Sequence, residues 1–185
     1  MLLYAGNLEL YQGVDLLLEG FALAARETEA VDLVLIGGEP EDIRRYAAKA
    51  ARLGLADRAH LLGPRPLEDL KHYLAEADIL AAPRIKGINT PMKVFPYLHS
   101  GRPVLATNLP THTQILTAQV ARLAGPTPRA FADAIVELAQ DPELRRRLGE
   151  AGRAFAEAEH TYPAHERRVN ALYDWAIDRL RRKAF

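Results

Sequence analysis

The chain has 185 residues, 49% of them hydrophobic, with 24 basic and 24 acidic side chains. This apolar content suffices for a packed core, which excludes an intrinsically disordered chain, and the length fits one domain. The zero formal charge argues against nucleic acid as a partner, and the lack of cysteine excludes disulfides, thiolate catalysis and cysteine-based zinc sites. No apolar run approaches the ~20 residues that a membrane-spanning helix needs. We therefore expect a cytoplasmic protein.

Short apolar runs alternate along the chain with segments of helical periodicity. The runs predicted as strands are residues 2–6, 31–37, 60–63, 79–82, 103–107 and 119–124. Most of them are continuously apolar, which is typical of strands buried on both faces of a parallel sheet. Between them, stripes such as Val14, Leu17 and Phe21 recur at helical spacing. The alternation predicts an α/β fold: a Rossmann-like doubly wound parallel sheet of about six strands with helices on both faces.

Three dipeptides ending in proline predict where helices begin. Thr-Pro at 127–128 and Asp-Pro at 141–142 are each typical of an N-cap followed by proline at the first helical position. Thr90, followed by proline, predicts the same start for a further helix. In that helix, Pro96 would remove the amide hydrogen bond to Met92 at a cost of about 3 kcal/mol. We therefore expect a kink or a local break within residues 92–95.

A long helix is predicted at the C-terminal end, within residues 160–185. Its basic end at residues 179–183 suits the negative pole of a helix dipole. We interpret that end as a solvated terminus, with a membrane or acidic partner as the alternative. The part of the helix around Tyr173 and Trp175 packs either on its own domain or on a segment that this chain lacks.

Ligands of doubly wound sheets bind at the carboxyl ends of the strands, where the strand order reverses. Several loops that follow the predicted strands contain glycine, which allows a backbone to approach a phosphate closely. In the loop after residues 79–82, Lys93 would stand in the first turn of a helix, where a cation is unfavourable unless it meets an anion. A solvent-facing Lys93 is the alternative, but we predict a phosphate contact and take Lys93 as the best candidate for a catalytic residue.

Other kinds of site find little support in the sequence. There is no G-x-G-x-x-G pattern, which argues against a dinucleotide cofactor. The six histidines show no paired spacing typical of metal ligands, so we expect neither a metal nor a cofactor. His112 is kept as a further candidate because it is the one histidine predicted on the functional edge.

The order of these motifs resembles the retaining glycosyltransferases of family 4, the group 1 glycosyl transferases. Residues 6–17 are similar to the start of their C-terminal domain, and residues 93–107 to its signature helix with a Gly-x-Pro-Val-x-Ala exit. The resemblance covers nearly the whole chain and implies a GT-B fold. It implies that residues 1–185 form a single domain that binds a nucleoside-diphosphate sugar, and that the N-terminal acceptor domain is absent.

The resemblance also assigns roles to the loops at the sheet edge. Residues 63–67 would line the base of the nucleotide, and residues 89–93 would contact the phosphates and the sugar. The predicted nucleotide-sugar site comprises Gly6, Asn7, Gln12, Gly37, Gly63, Arg65, Pro66, Leu67, Asn89, Thr90, Pro91, Met92 and Lys93.

Four positions depart from the family's pattern. Asn7 and Gln12 stand where the family has an Arg and a Lys that contact the diphosphate, and an amide cannot neutralise a phosphate. Ile88 and Pro96 stand where it has paired glutamates, the second of which binds the ribose. We expect the missing positive charge to come from other cations, namely Lys93 with Lys86 or Arg65.

The resemblance therefore implies the donor-binding domain of a metal-independent, retaining GT-B glycosyltransferase that transfers a hexose. Alone, the chain is expected to be inactive because the acceptor half of the cleft is missing. The alternative is a non-catalytic nucleotide-sugar-binding or partner module with a degenerate site. A nucleotide-sugar epimerase is a third hypothesis, disfavoured by the few carboxylates on the strand-end loops. For the full-length enzyme, a peripheral membrane contact is compatible with the predicted cytoplasmic location.

Overall fold

Six short strands form the centre of the computed structural model, which describes the backbone of residues 1–183 and the side chains of residues 1–180. They are β1 (Leu2–Ala5), β2 (Leu33–Ile36), β3 (Ala59–Gly63), β4 (Ile79–Ala82), β5 (Val104–Thr107) and β6 (Arg122–Ala124). All pairings are parallel, and the order across the sheet is β3-β2-β1-β4-β5-β6. The predicted fold class is confirmed, and each predicted strand is present.

Some strands are shorter than the apolar runs that predicted them. The run at 119–124 contributes only its last three residues to β6. Val120 and Ala121 instead donate their amides to the carbonyl of Thr117 in a turn, at 3.1 and 3.0 Å. Both side chains are buried in the core. Their apolar character therefore serves core packing and does not extend the strand.

Helices cover both faces of the sheet. They are α1 (Val14–Ala24), α2 (Pro40–Arg52), α3 (Leu70–Glu76), α4 (Val94–His99), α5 (Pro110–Thr113), α6 (Pro128–Gln140), α7 (Pro142–Glu159) and α8 (Tyr162–Lys183). Successive strand residues point to opposite faces, so Leu2 and Tyr4 pack with α1, α2 and α6. Leu3 and Ala5 pack with α3, α4 and the end of α7.

Two of the three predicted helix starts are confirmed. The Thr127 side chain accepts a hydrogen bond from the Ala130 amide at 3.3 Å, with proline at the first position of α6. The Asp141 carboxylate caps α7 in the same way, accepting from the Leu144 amide at 2.8 Å. Each cap gives a partner to one of the backbone amides that a helix start leaves free.

The third predicted start is wrong, because α4 begins at Val94 and Thr90 does not cap it. The Pro91 and Met92 carbonyls accept from the amides three residues ahead, at 3.1 and 3.3 Å, in a tight turn before the helix. No helix precedes Val94, so the expected kink or break inside a helix at residues 92–95 does not occur. Pro96 consequently lies in the first turn of α4, where its missing N–H has no partner to lose, so the expected cost does not arise.

Helix α8 leaves the body of the domain. Among its described side chains, only Ala164 is buried. Large apolar side chains are exposed along it, at Tyr162, Leu172, Tyr173, Trp175, Ile177 and Leu180. The alternative in which the part around Tyr173 and Trp175 packs on its own domain is therefore wrong. Most of the basic stretch 179–183 lies outside the described side chains; Arg179 sits 5.3 Å from the Trp175 ring. No described helix is both long and apolar enough to cross a membrane.

Candidate functional site

The strand order reverses between β1 and β4, which continue into loops 6–13 and 83–93. These two loops meet directly. The Ile85 amide donates to the Tyr11 carbonyl at 3.0 Å, and Gly13 lies against the Pro83 carbonyl. Gly13 has a φ of 75°, and a β-carbon there would collide with that carbonyl. The carboxyl ends of β1 and β4 thus border one crevice, the usual ligand position in a doubly wound sheet.

A cleft of about 260 Å³ lies over the carboxyl ends of β1, β2 and β3. It brings together five residues of the predicted site: Gly6, Gly37, Arg65, Pro66 and Leu67. Most of the remaining lining is apolar, including Ile36 and Tyr73. Among the described residues, the Arg65 guanidinium bonds only to the neighbouring Pro64 carbonyl, at 3.0 Å. Arg65 is also the one charged residue of the described lining, at an apolar wall.

The rim of this cleft is held together by backbone contacts. The Gly6 amide donates to the Ile36 carbonyl, and the Gly37 amide to the Gly63 carbonyl, each at 2.9 Å. Gly37 has a φ of 109°, and a β-carbon there would collide with the Gly6 carbonyl. Glycine is required at position 37 because two strand ends approach each other there without side chains between them.

The Lys93 ammonium is buried beside Gly6, at the end of β1. Its Nζ lies 3.9 Å from the centre of the Tyr4 ring and has no hydrogen-bond partner among the described residues. The side chain as a whole is half-buried, but the charged atom itself is inaccessible. Burial, with a smaller effect of the nearby Arg84 cation, lowers the pKa of Lys93 to about 7. An unpaired buried cation is costly, so this position favours an anion that would complete it.

The Tyr4 side chain packs against the Lys93 ammonium. Its ring lies under the ammonium, which is an attractive cation–π geometry. Its hydroxyl donates to the Asn7 carbonyl at 2.5 Å and so ties β1 to the start of the following loop. Burial raises the pKa of Tyr4 well above its ordinary value, so the hydroxyl stays protonated. Sequence reasoning missed this residue, because a tyrosine in an apolar strand resembles any other core residue.

Further cations surround the crevice. In the described part of the chain, none of Arg65, Arg84, Lys86 and Lys93 forms an ion pair. The Arg84 guanidinium lies 5.1 Å from the Tyr11 ring and donates to the Lys86 carbonyl at 2.9 Å. The edge therefore carries cations that no carboxylate pairs within the described residues, although the chain is neutral overall.

The amides that replace charged residues of the family lie in different surroundings. The Asn7 side chain is exposed and donates to the Glu9 carboxylate at 2.8 Å. Gln12 is buried, and its Oε1 has no partner among the described residues. Asn89, an amide of the predicted site that replaces no charged residue, accepts a hydrogen bond from the Arg84 guanidinium at 3.2 Å. Asn7 is thus engaged by a neighbouring acid, whereas Gln12 has an unused acceptor.

The remaining predicted residues differ in exposure. Met92 is 77% exposed and Ile88 is 90% exposed, so both side chains face solvent. Pro91 is buried and Thr90 is half-buried. The loop 83–93 therefore has an exposed apolar surface around its charged groups.

His112 is fully buried and does not line the cleft. Its Nδ1 lies 2.8 Å from the Thr107 hydroxyl, which itself donates to the Arg84 carbonyl at 2.6 Å. Because the Thr107 hydroxyl already donates its hydrogen to the Arg84 carbonyl, Nδ1 of His112 is the donor to the Thr107 oxygen. Burial lowers the pKa of His112 to about 4, so the ring is neutral near pH 7. His112 supports the loop after β4 through Thr107.

Known proteins share the sequence pattern and the fold of this chain. The family model described as glycosyl transferases group 1 matches residues 1–141. The D-inositol 3-phosphate glycosyltransferase of Corynebacterium glutamicum is 29% identical over 183 residues, which cover 94% of this chain. The structure of HepE from Anabaena, solved in complex with UDP, superposes with a TM-score of 0.83 at 18% identity over 94% of this chain.

The chain matches only part of these proteins. It spans 43% of the Corynebacterium glutamicum enzyme and 48% of HepE. By contrast, it covers 86% of the C-terminal domain of a group 1 family protein, LpcC, from Francisella tularensis, with a TM-score of 0.77 and 16% identity. The solved structures are GT-B glycosyltransferases or a domain of one, and they share the fold of this chain.

Proposed function

The chain belongs to the group 1 glycosyl transferases, and we propose that it is the donor-binding domain of a retaining GT-B enzyme that transfers a hexose from a nucleoside-diphosphate sugar. The observation that carries the proposal is the buried, unpartnered ammonium of Lys93 beside Gly6. It lies at the point where the strand order reverses, next to an apolar cleft. An anion and an adjoining apolar group are together what this edge would accommodate.

The two parts of a nucleotide suit the two parts of the site. The cleft bordered by Gly37 and residues 64–67 offers an apolar slot for a planar base. The diphosphate would then extend over Gly6 towards Lys93, with Arg84 and Lys86 nearby. Charge-assisted bonds from such cations are stronger than neutral ones. They supply the positive charge that Asn7 and Gln12 do not, so we propose that no metal is needed to hold the donor.

The second half of the enzyme is proposed to lie outside this chain. Group 1 relatives are more than twice as long as the matched region. Helix α8 exposes a stripe formed by Leu172, Tyr173, Ile177 and Leu180, and an apolar stripe along one side of a helix is built to be covered. We propose that an N-terminal acceptor domain covers it and completes the catalytic cleft. The chain alone would bind the donor without transferring hexose.

The chemistry proposed for this domain is modest. It would hold the leaving diphosphate, and Lys93 would offset the negative charge that develops on it as the bond to the sugar breaks. The acceptor hydroxyl and the groups that orient it would come from the other domain. The lack of cysteine agrees with a cytoplasmic site of action, and we propose a peripheral membrane contact only for the full-length enzyme.

Calorimetric titration tests the proposal. UDP, GDP and ADP, and their glucose conjugates, are titrated into the folded chain, and we expect one nucleotide series to bind. Lys93→Ala should weaken that binding at least several-fold, as expected for the loss of a charge-assisted bond of about 1.5–3 kcal/mol. Lys71→Ala, which removes an exposed lysine of α3 outside the cleft, is the matched control. A folded chain that binds none of these nucleotides refutes the proposal.

The exchanged positions favour one second candidate, a nucleotide-sugar-binding module without transferase activity. Ile88 and Pro96 stand where the family has glutamates, and neither side chain can accept a hydrogen bond from a ribose or sugar. The full-length protein distinguishes the two functions. Binding of the donor without release of nucleoside diphosphate, with acceptor present, would favour the module.

A further inference from the structure

Helix α5 and the residue that follows it hold the loop after β4 by its carbonyl groups. The Thr111 hydroxyl donates to the Asn89 backbone carbonyl at 2.8 Å, and the side-chain amide of Gln114 donates to the Ile88 backbone carbonyl at 3.0 Å. Thr111 is buried, whereas Gln114 is exposed. Two consecutive carbonyls of the loop are thus turned towards one neighbouring segment.

The direction of the following amides is fixed by the same contacts. A trans peptide unit is planar, and its N–H points opposite to its C=O. The amides of Asn89 and Thr90, which share peptide units with the Ile88 and Asn89 carbonyls, therefore point away from α5. Within the described residues, neither amide donates to a protein acceptor.

Two consecutive free N–H groups on one side of a loop form a small concave donor site, which is suited to an anion. A side chain that hydrogen-bonds to the carbonyl of a peptide unit fixes the direction of the N–H in that unit. It can therefore orient two such N–H groups without contacting the ligand itself. The same loop leads into Lys93, whose Nζ is buried without a partner. These two observations are independent, since one concerns backbone direction and the other an unpaired cation.

The start of the loop is held in a similar way. The Thr107 hydroxyl donates to the Arg84 carbonyl at 2.6 Å and is supported by the buried His112. Donors at the end of β5 and in the segment after it therefore bind carbonyls at positions 84, 88 and 89. We propose that Thr111 and Gln114 are positioning residues, which aim the amides of Asn89 and Thr90 at the diphosphate of the donor. This inference rests on the proposed function and adds the groups that would orient its ligand.

Amide chemical shifts of the ¹⁵N-labelled chain test this inference, with inorganic pyrophosphate as the first probe. We expect the Asn89 and Thr90 amide resonances to move to lower field as pyrophosphate is added. In Thr111→Val and Gln114→Met, which keep side-chain volume but remove the donor, these shifts should shrink by half or more. Thr111→Ser keeps the hydroxyl and should restore them. Thr113→Val and Gln119→Met change exposed residues of the same segment and are the controls.

Nucleotide affinity gives the second readout. For whichever of UDP, GDP and ADP binds, Thr111→Val and Gln114→Met should each raise Kd by about three- to tenfold, a range typical of one misplaced hydrogen bond. Gln114 is exposed, so its variant reports on positioning even if the buried Thr111→Val variant unfolds.

The outcomes separate this inference from the proposed function. Nucleotide binding that depends on Lys93, with unmoved Asn89 and Thr90 amides, overturns the inference and leaves the function standing. Shifts at both amides that survive in Thr111→Val and Gln114→Met overturn the positioning role. If no nucleotide binds, the function fails, and the pyrophosphate shifts still decide whether the amides form an anion site.

Discussion

Binding of a nucleoside diphosphate should take up a proton at Lys93. In the free protein, burial and the nearby Arg84 cation lower the pKa of Lys93 to about 7, from an ordinary 10.5. A diphosphate placed beside the ammonium would favour the charged form and raise this pKa again. The perturbation is a rise in pH from 7 to 9, which removes the proton from the free protein before the ligand arrives.

The size of the effect follows from the pKa. At pH 8, one unit above a pKa of 7, roughly nine-tenths of the Lys93 side chains are neutral, so binding should take up roughly 0.9 proton. Above pH 7 the affinity should fall by up to about tenfold for each pH unit. The other groups near Lys93 do not titrate in this window. Burial raises the pKa of Tyr4 far above it and lowers the pKa of His112 to about 4.

Calorimetry in HEPES and in Tris measures this uptake, because the two buffers release protons with different enthalpies. The titrations begin at pH 7.5, where a terminal phosphate with a last pKa of about 6 is ionised. Lys93→Arg should bind without proton uptake, because a guanidinium stays charged. Equal proton uptake in Lys93→Arg, or an affinity that stays constant between pH 7.5 and pH 9, would refute the reasoning.

Three further predictions concern stability, measured by urea unfolding of the chain. Between pH 7 and about 10, the unfolded chain holds the Lys93 proton and the folded chain does not, so stability should rise with pH by up to about 1.4 kcal/mol per unit. Lys93→Met should flatten that rise, and an unchanged slope would contradict it. Asp141→Ala should cost about 0.5–2 kcal/mol because the Leu144 amide loses its cap; no loss would show that the cap is dispensable. Pro96→Ala should change stability by less than about 1 kcal/mol, because this proline lies in the first turn of α4, and a change near 3 kcal/mol would mean that it does not.

Much of the sheet could be predicted from sequence, because strands buried on both faces must be apolar throughout. The run at 79–82 gives the bounds of β4 correctly. The run at 119–124 shows the limit of this reasoning, since Val120 is equally apolar in a turn. Apolar character reports burial, and burial alone does not fix the backbone conformation.

The edge that carries the site could also be predicted, but not the surroundings of its side chains. The glycines at 6, 13 and 37 lie where loops approach each other closely. A β-carbon at Gly13 would collide with the Pro83 carbonyl, and one at Gly37 would collide with the Gly6 carbonyl. The cap at Thr90 was predicted from a local pattern, yet Pro96 is accommodated by starting the helix at Val94. The local pattern pointed to a start at Thr90 alone, and the start at Val94 appears only in the folded chain.

The contacts of Lys93 were beyond sequence reasoning. Its predicted phosphate contact stays a prediction, but its burial on Tyr4 depends on a side chain 89 positions earlier in the chain. The bonds from Thr111 and Gln114 to the loop join residues 22 and 26 positions apart. Periodicity and motifs do not predict a hydrogen bond between a side chain and a carbonyl far away in the sequence. Such contacts can be seen only in the folded structure.

The rim formed by Gly6 and Gly37 has a consequence for which positions of the cleft can vary. The ends of β1, β2 and β3 are joined there by backbone hydrogen bonds, and no side chain fits between Gly37 and the Gly6 carbonyl. A substitution on this rim would displace three strand ends together. Side chains of the cleft can be exchanged without moving these strand ends only on its outer wall, which residues 64–67 form together with Leu70 and Tyr73.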